Sequence, residues 1–166
     1  MFDSFTADIY VFDFEYHPVS GVEGNSPDPV CLVVLDVNTG VTCRYFREQL
    51  QVMEEAPFDT GPDSIWIAFF ASAEMDCFIQ LGWPLPDNVL DIFVEFRNLT
   101  NGRTLPHGAS LLGAMAYFGL SSIVPAEKKE MRDLILSRGP WSENQELEIL
   151  DYCQSDVEAL AQLFLR

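Results

Sequence analysis

Apolar runs separated by turn residues divide this chain into elements before any single residue stands out. Positions 9–15, Ile-Tyr-Val-Phe-Asp-Phe-Glu, read as a buried strand, apolar and aromatic until two carboxylates close it. The stretch 16–29, rich in Gly, Ser, Asn and Pro, reads as a loop. Positions 30–35 form a second β-branched apolar run, 37–40 a turn and 41–46 a returning strand, which together predict a hairpin. An acidic, Pro-containing stretch over 54–63 reads as a loop, and 64–70 as a fourth strand. Ser72 is placed to cap a helix running to about position 81, stopped by Gly82 and Pro84. A short fifth strand is expected over 88–92 and a helix over 110–118, capped by Ser110 and ended by Gly119. A basic amphipathic helix is expected over 126–137 behind Pro125, and Ser142 with Gln145 forms a capping box for a last helix. Three strands, then strand–helix–strand, then helices predict the α/β class, a mixed sheet flanked by helices.

Composition narrows the class. The chain has 166 residues, enough for one domain with a sizeable core, and its 48% hydrophobic content argues against disorder. The acidic N-terminus lacks the basic and long apolar regions of a signal peptide, and no apolar run approaches the ~20 residues of a membrane span. Cys31, Cys43, Cys77 and Cys153 are scattered, with no paired spacing for zinc, so reduced thiols in a cytoplasmic protein are expected. The net charge of −17 opposes a phosphate backbone, but its distribution is uneven. Arg97, Arg103, Lys128, Lys129, Arg132 and Arg138 cluster between 97 and 138, where they serve either as a solvated helix face or as a track for phosphates.

The candidate chemistry begins at the first strand. Side chains alternate along a strand, so Asp13 and Glu15 share one face, roughly 7 Å apart, while Tyr10, Phe12 and Phe14 take the other. No Lys or Arg precedes Arg44. The two acids therefore need a distant Arg, solvent at the strand end, or a hard divalent cation. In the last helix Tyr152 and Asp156 are four residues apart on one face, beside the apolar stripe Leu150, Cys153, Val157, Leu160 and Phe164. Asp76 follows Ser72 in apolar company, Glu74 is placed for the helix dipole, and Asp91 ends a short strand.

Asp13-Phe14-Glu15, then Ala71 to Asp76, then Tyr152 to Asp156 resemble the three exonuclease motifs of the DEDD superfamily of 3′–5′ exonucleases. The closer resemblance is to the proofreading exonuclease domain of phage-type family A (polymerase I-like) DNA polymerases. It covers nearly the whole chain and implies a ribonuclease H-like sheet of five strands in a single domain, 1–166. With an apolar last helix that lacks a stop signal, it further implies a monomeric N-terminal fragment of a longer polymerase chain. Tyr152, four before the final Asp, indicates the Tyr branch, since Asp151 stands where the other branch carries His. Ser72 departs from the Asn that many members carry. By resemblance, Asp13, Glu15, Asp76 and Asp156 would hold two Mg²⁺ ions, with Mn²⁺ substituting, and Tyr152 would orient the attacking water. Phe14, Tyr16, His17 and Ser72 would meet the 3′ end of single-stranded DNA, and Lys128, Lys129 and Arg132 its phosphates. A ribonuclease D-type RNA exonuclease and a non-catalytic nucleic-acid-binding module on the same fold are the competing expectations.

Overall fold

The computed structural model describes residues 7–18, 26–120 and 125–166, with the backbone alone over 125–128. Strands β1 (Asp8–Pro18), β2 (Pro27–Asp36) and β3 (Thr42–Phe46) form an antiparallel meander. A one-turn helix α1 (Arg47–Leu50) follows, then β4 (Ser64–Ala68), helix α2 (Ala71–Leu81) and β5 (Val89–Asp91). Helices α3 (Ile92–Leu99), α4 (Leu111–Tyr117), α5 (Pro125–Leu136) and α6 (Glu143–Phe164) complete the chain. The sheet order is β3-β2-β1-β4-β5, with β4 parallel to both β1 and β5. This is the mixed five-stranded, helix-flanked, ribonuclease H-like arrangement expected from the sequence. No helix among the described residues is long and apolar enough to cross a membrane.

The alternation along β1 assigns each side chain to a layer. Tyr10, Phe12 and Phe14 pack with Trp66, Phe78 and Trp83 beneath α2. Val11 joins Val33, Ile67, Cys153, Val157 and Leu160 beneath α6. The capping box at Ser142 forms as expected, with Ser142 N donating to Gln145 Oε1 at 2.9 Å.

Three differences from the sequence expectation have physical causes. Strand β1 continues three residues beyond Glu15, because a register shift between Glu15 and Tyr16 restores pairing with Pro29, Asp28 and Pro27. A bulge absorbs the irregularity, and Pro29, which has no N–H to give a ladder, sits directly past it. Next, α2 starts at Ala71 without a Ser72 cap. Phe70 turns the chain in a left-handed backbone, φ 72°, and makes no side-chain cap. The acceptor comes from elsewhere: the Asp91 carboxylate takes Phe70 N at 3.0 Å and Ala71 N at 2.9 Å. Asp91 also takes Phe93 N at 2.9 Å as the N-cap of α3. Finally, the strand expected over 88–92 ends at Asp91, whose side chain caps α3 over Ile92–Leu99, a stretch for which no element was expected beyond position 92.

Candidate metal centre

Strand β4 pairs with β1 only as far as Val11 opposite Ile67, then leaves the sheet at the Phe70 corner. Beyond Val11, β1 has lost that neighbour, so its next backbone N–H groups on that edge need another acceptor. The Phe14 N–H is satisfied there by Glu74 from the first turn of α2, at 2.9 Å to Oε2. Glu74 is a buried acid, 5% exposed, committed to a backbone group. Burial and the nearby Asp13 push its carboxyl well above the usual range, partly offset by the Phe14 hydrogen bond.

On the opposite face, α6 brings Asp156 to the two acids of β1. The helix docks through Ile149, Cys153, Val157 and Leu160, all buried against the sheet. Asp13, Glu15 and Asp156 each offer a carboxylate oxygen within 4.8 Å of the other two. Oxygens sharing one Mg²⁺ at 2.0–2.1 Å stand about 3–4 Å apart, so small side-chain adjustments suffice. Burial first, then Asp13, Cys31, Asp156 and Glu74, push the Glu15 carboxyl well above its ordinary value. Such mutual repulsion is what a bound cation relieves. Cys153 Sγ lies 3.3 Å from the Asp13 carbonyl oxygen and 3.6 Å from its Oδ2. Burial and a hydrogen bond with the free thiol of Cys31 hold this thiol well above its usual pKa, so it acts as a donor to Asp13. The donor set is therefore oxygen only, which fits a hard divalent ion.

Tyr152 stands one turn before Asp156. Burial raises its hydroxyl pKa, and so do Asp156, Glu15 and Asp13, with a hydrogen bond to Asp156 adding to the effect. It is a neutral phenol at any ordinary pH. Together with Glu15 it lines a cleft of ≈ 590 Å³ whose far wall is α5, carrying Lys129 and Arg132. Glu15 on one side and Lys129 and Arg132 on the other give the cleft walls of opposite charge.

The other expected residues divide. Tyr16 lines the cleft and is half-buried, in keeping with a place at the rim. Phe14 does not reach the rim: it is 3% exposed, with edge contacts to Phe12 and Phe78. His17 does not reach it either, being 1% exposed with Nε2 2.6 Å from the Ile135 carbonyl oxygen. Phe14 is buried by the alternation already expected within 9–15, and His17 because the strand continues past Glu15. Ser72 and Asp76 are exposed on α2, and Asp76 stands outside the group of three carboxylates. Arg138 donates to the Pro18 carbonyl oxygen at 2.9 Å. The Lys128 side chain lies outside the described residues. For Glu74 the expectation was the helix dipole alone, and the structure adds its hydrogen bond to the Phe14 backbone. Its signal was its phase, because Ala71, Glu74 and Phe78 form the buried stripe of α2 and Asp76 does not.

No model of a known protein family matches the sequence, and neither does any curated protein. Among solved structures, the chain is similar to Escherichia coli RNase D, an exoribonuclease involved in structured RNA processing. The identity is 18% and the TM-score 0.49, over 97% of this chain and 40% of that one. The chain thus spans two fifths of that enzyme's length.

Proposed function

We propose that this chain is a divalent-metal-dependent 3′–5′ exonuclease releasing nucleoside 5′-monophosphates from a single strand, with DNA as the strand its motifs resemble most. One observation carries the reading: Asp13, Glu15 and Asp156 converge at the end of β1, with Tyr152 beside them and α5 cations across the cleft. Asp13, Glu15 and Asp156 are the ligands, and by resemblance the ions are two Mg²⁺. Such ions supply an activated water and relieve charge on the leaving oxygen. Tyr152 keeps its proton, so its hydroxyl orients a water and does not act as a base. Lys129 and Arg132 hold phosphates, and Tyr16 offers a ring at the mouth. The fourth acid of the resemblance, Asp76, finds no support in its exposed position, and Glu74 serves instead by fixing the Phe14 backbone between the two ligands of β1.

The test is digestion of matched 5′-labelled DNA and RNA strands with Mg²⁺, Mn²⁺ or chelator, using wild type and Asp13→Asn. The proposal expects stepwise shortening from the 3′ end that needs metal and Asp13, faster on DNA. Equal or faster loss of RNA would move the chain to the ribonuclease D-type reading. Strand binding without any metal-dependent release would leave a non-catalytic module on an exonuclease fold.

A further inference from the structure

We propose that His17 is a positioning residue: it pins the carboxyl end of α5 to β1 and thereby sets Lys129 and Arg132 against the carboxylates. This rests on the exonuclease reading of the cleft. His17 lies two residues past Glu15 on the same strand and is 1% exposed. Its Nε2 is 2.6 Å from the Ile135 carbonyl oxygen, which can only accept, so the ring carries its proton on Nε2. Its Nδ1 is 3.1 Å from Arg47 Nη2, which can only donate, so the second nitrogen is an acceptor. Arg47 is held in turn by Asp28 Oδ2 at 3.1 Å. Asp28 Oδ2 also lies 3.5 Å from His17 Nδ1, so contacts at both ring nitrogens fix the orientation of the ring.

The carbonyls in the last turn of a helix have no partner within it. In α5 the N–H groups of Ser137 and Arg138 donate to the Leu134 and Ile135 carbonyls at 3.2 Å, and surrounding side chains share them. His17 donates to Ile135, while the Trp141 indole N–H and the Ser137 hydroxyl donate to Leu134 at 3.2 Å and 2.6 Å. Trp141 also stacks on the His17 ring, centroids 5.7 Å apart and 24° between planes. Further toward the start of α5, Lys129 and Arg132 are exposed, and Ile135 is the buried residue among those whose side chains are described. Met131 and Leu134 pack on the core beside Ile135, so the described contacts of α5 with the core lie in its second half. Lys129 lies about 9 Å along the axis from Ile135, so a tilt at the pin displaces the cations from the cleft. Within the folded core His17 touches no substrate, yet it sits between the strand that carries two ligands and the helix that carries the phosphate contacts.

The test is a double-mutant cycle on the full chain. His17→Phe keeps the stack on Trp141 and removes the pin, while His17→Gln restores an amide N–H with similar reach. His17→Phe is expected to raise KM for a labelled single strand about tenfold, as loss of a buried hydrogen bond to a carbonyl does, with kcat within about twofold. Mn²⁺ affinity should hold, and the salt dependence of strand binding should become shallower as phosphate contacts are lost. His17→Gln should recover KM. In a Lys129→Ala, Arg132→Ala background the His17→Phe effect should shrink to less than about twofold, because its target is gone. His17→Asn, too short to reach Ile135, replaces the Phe variant if that one does not fold. An unchanged KM and salt slope, or an effect that persists fully without the two cations, overturns the proposal while leaving the exonuclease reading in place. If wild type binds a strand without cleaving it, that reading fails and the same cycle is read on Kd. If wild type neither binds nor cleaves, both fail.

Discussion

The two faces of β1 are built from the same short stretch and do opposite work. Toward α2 the strand presents Tyr10, Phe12 and Phe14, whose rings meet Trp66, Phe78 and Trp83 edge-on or tilted at 5.0–6.4 Å between centroids. Toward α6 it presents Val11 and then Asp13 and Glu15, whose charges are crowded by Asp156. One face gains from burial and seals. The other loses from it, and stays open along the cleft. A strand can carry costly acids at its end because the aromatic layer behind them fixes the backbone independently of their ionisation. Glu74 is the exception on the aromatic side, and it is there for the Phe14 N–H.

If this division holds, substitutions on the two faces separate chemistry from stability. The largest effect is expected at Asp13→Asn, which should abolish hydrolysis in a 3′-end digestion. Its melting temperature in chelator should be equal to or above that of wild type, since a repelling charge is gone. Tyr152→Phe should lower turnover ~10²–10⁴-fold while calorimetric Mn²⁺ binding persists, the scale of a water-positioning group. Phe14→Ala should do the reverse, costing ~3–5 kcal/mol in urea unfolding with near-normal turnover per folded molecule. Equal stability losses from Asp13→Asn and Phe14→Ala would erase the distinction between the faces.

A smaller effect is expected from pH. The folded-state pKa of Glu15 lies above its unfolded value, so its stabilising protonation is complete at low pH and lost as pH rises through the folded value. In chelator, Glu15→Gln should therefore gain on wild type from about the usual 4.5 upward, measured as the difference between two urea-stability curves against pH. Parallel curves would mean that the carboxyl is not crowded. The smallest effect is reserved for Asp76→Ala, expected to stay within about threefold of wild-type turnover, as exposed substitutions away from a site usually do. A loss comparable with that of Asp13→Asn would return Asp76 to the ligand set.

Period-two alternation and helical spacing made much of this legible in the sequence. Asp13 and Glu15 fall on one face because a strand repeats every two residues, and Tyr152 and Asp156 because a helix brings i and i+4 together. The Ser142 capping box is equally local. What escaped depends on contacts between distant segments. The left-handed corner at Phe70 sets the phase of α2 and turns Glu74 inward, and the corner is held by Asp91, twenty-one residues later. The Gly- and Pro-containing stretch after Glu15 suggested a loop, yet pairing with β2 past the bulge carried His17 into the core. Propensity described these segments correctly in isolation, and tertiary pairing overrode it.

The distance in sequence between the β1 acids and Asp156 also bears on biosynthesis. A ribosome makes the sheet first and α6 long afterwards, and α6 alone delivers Asp156 and Tyr152. Until that helix docks on Val11, Val33 and Ile67, a nascent chain has two acids on a strand and no complete ligand set. The proposed ligand set therefore arrives with the closing of the core, so metal affinity at these carboxylates would be a property of the folded chain and not of the nascent one.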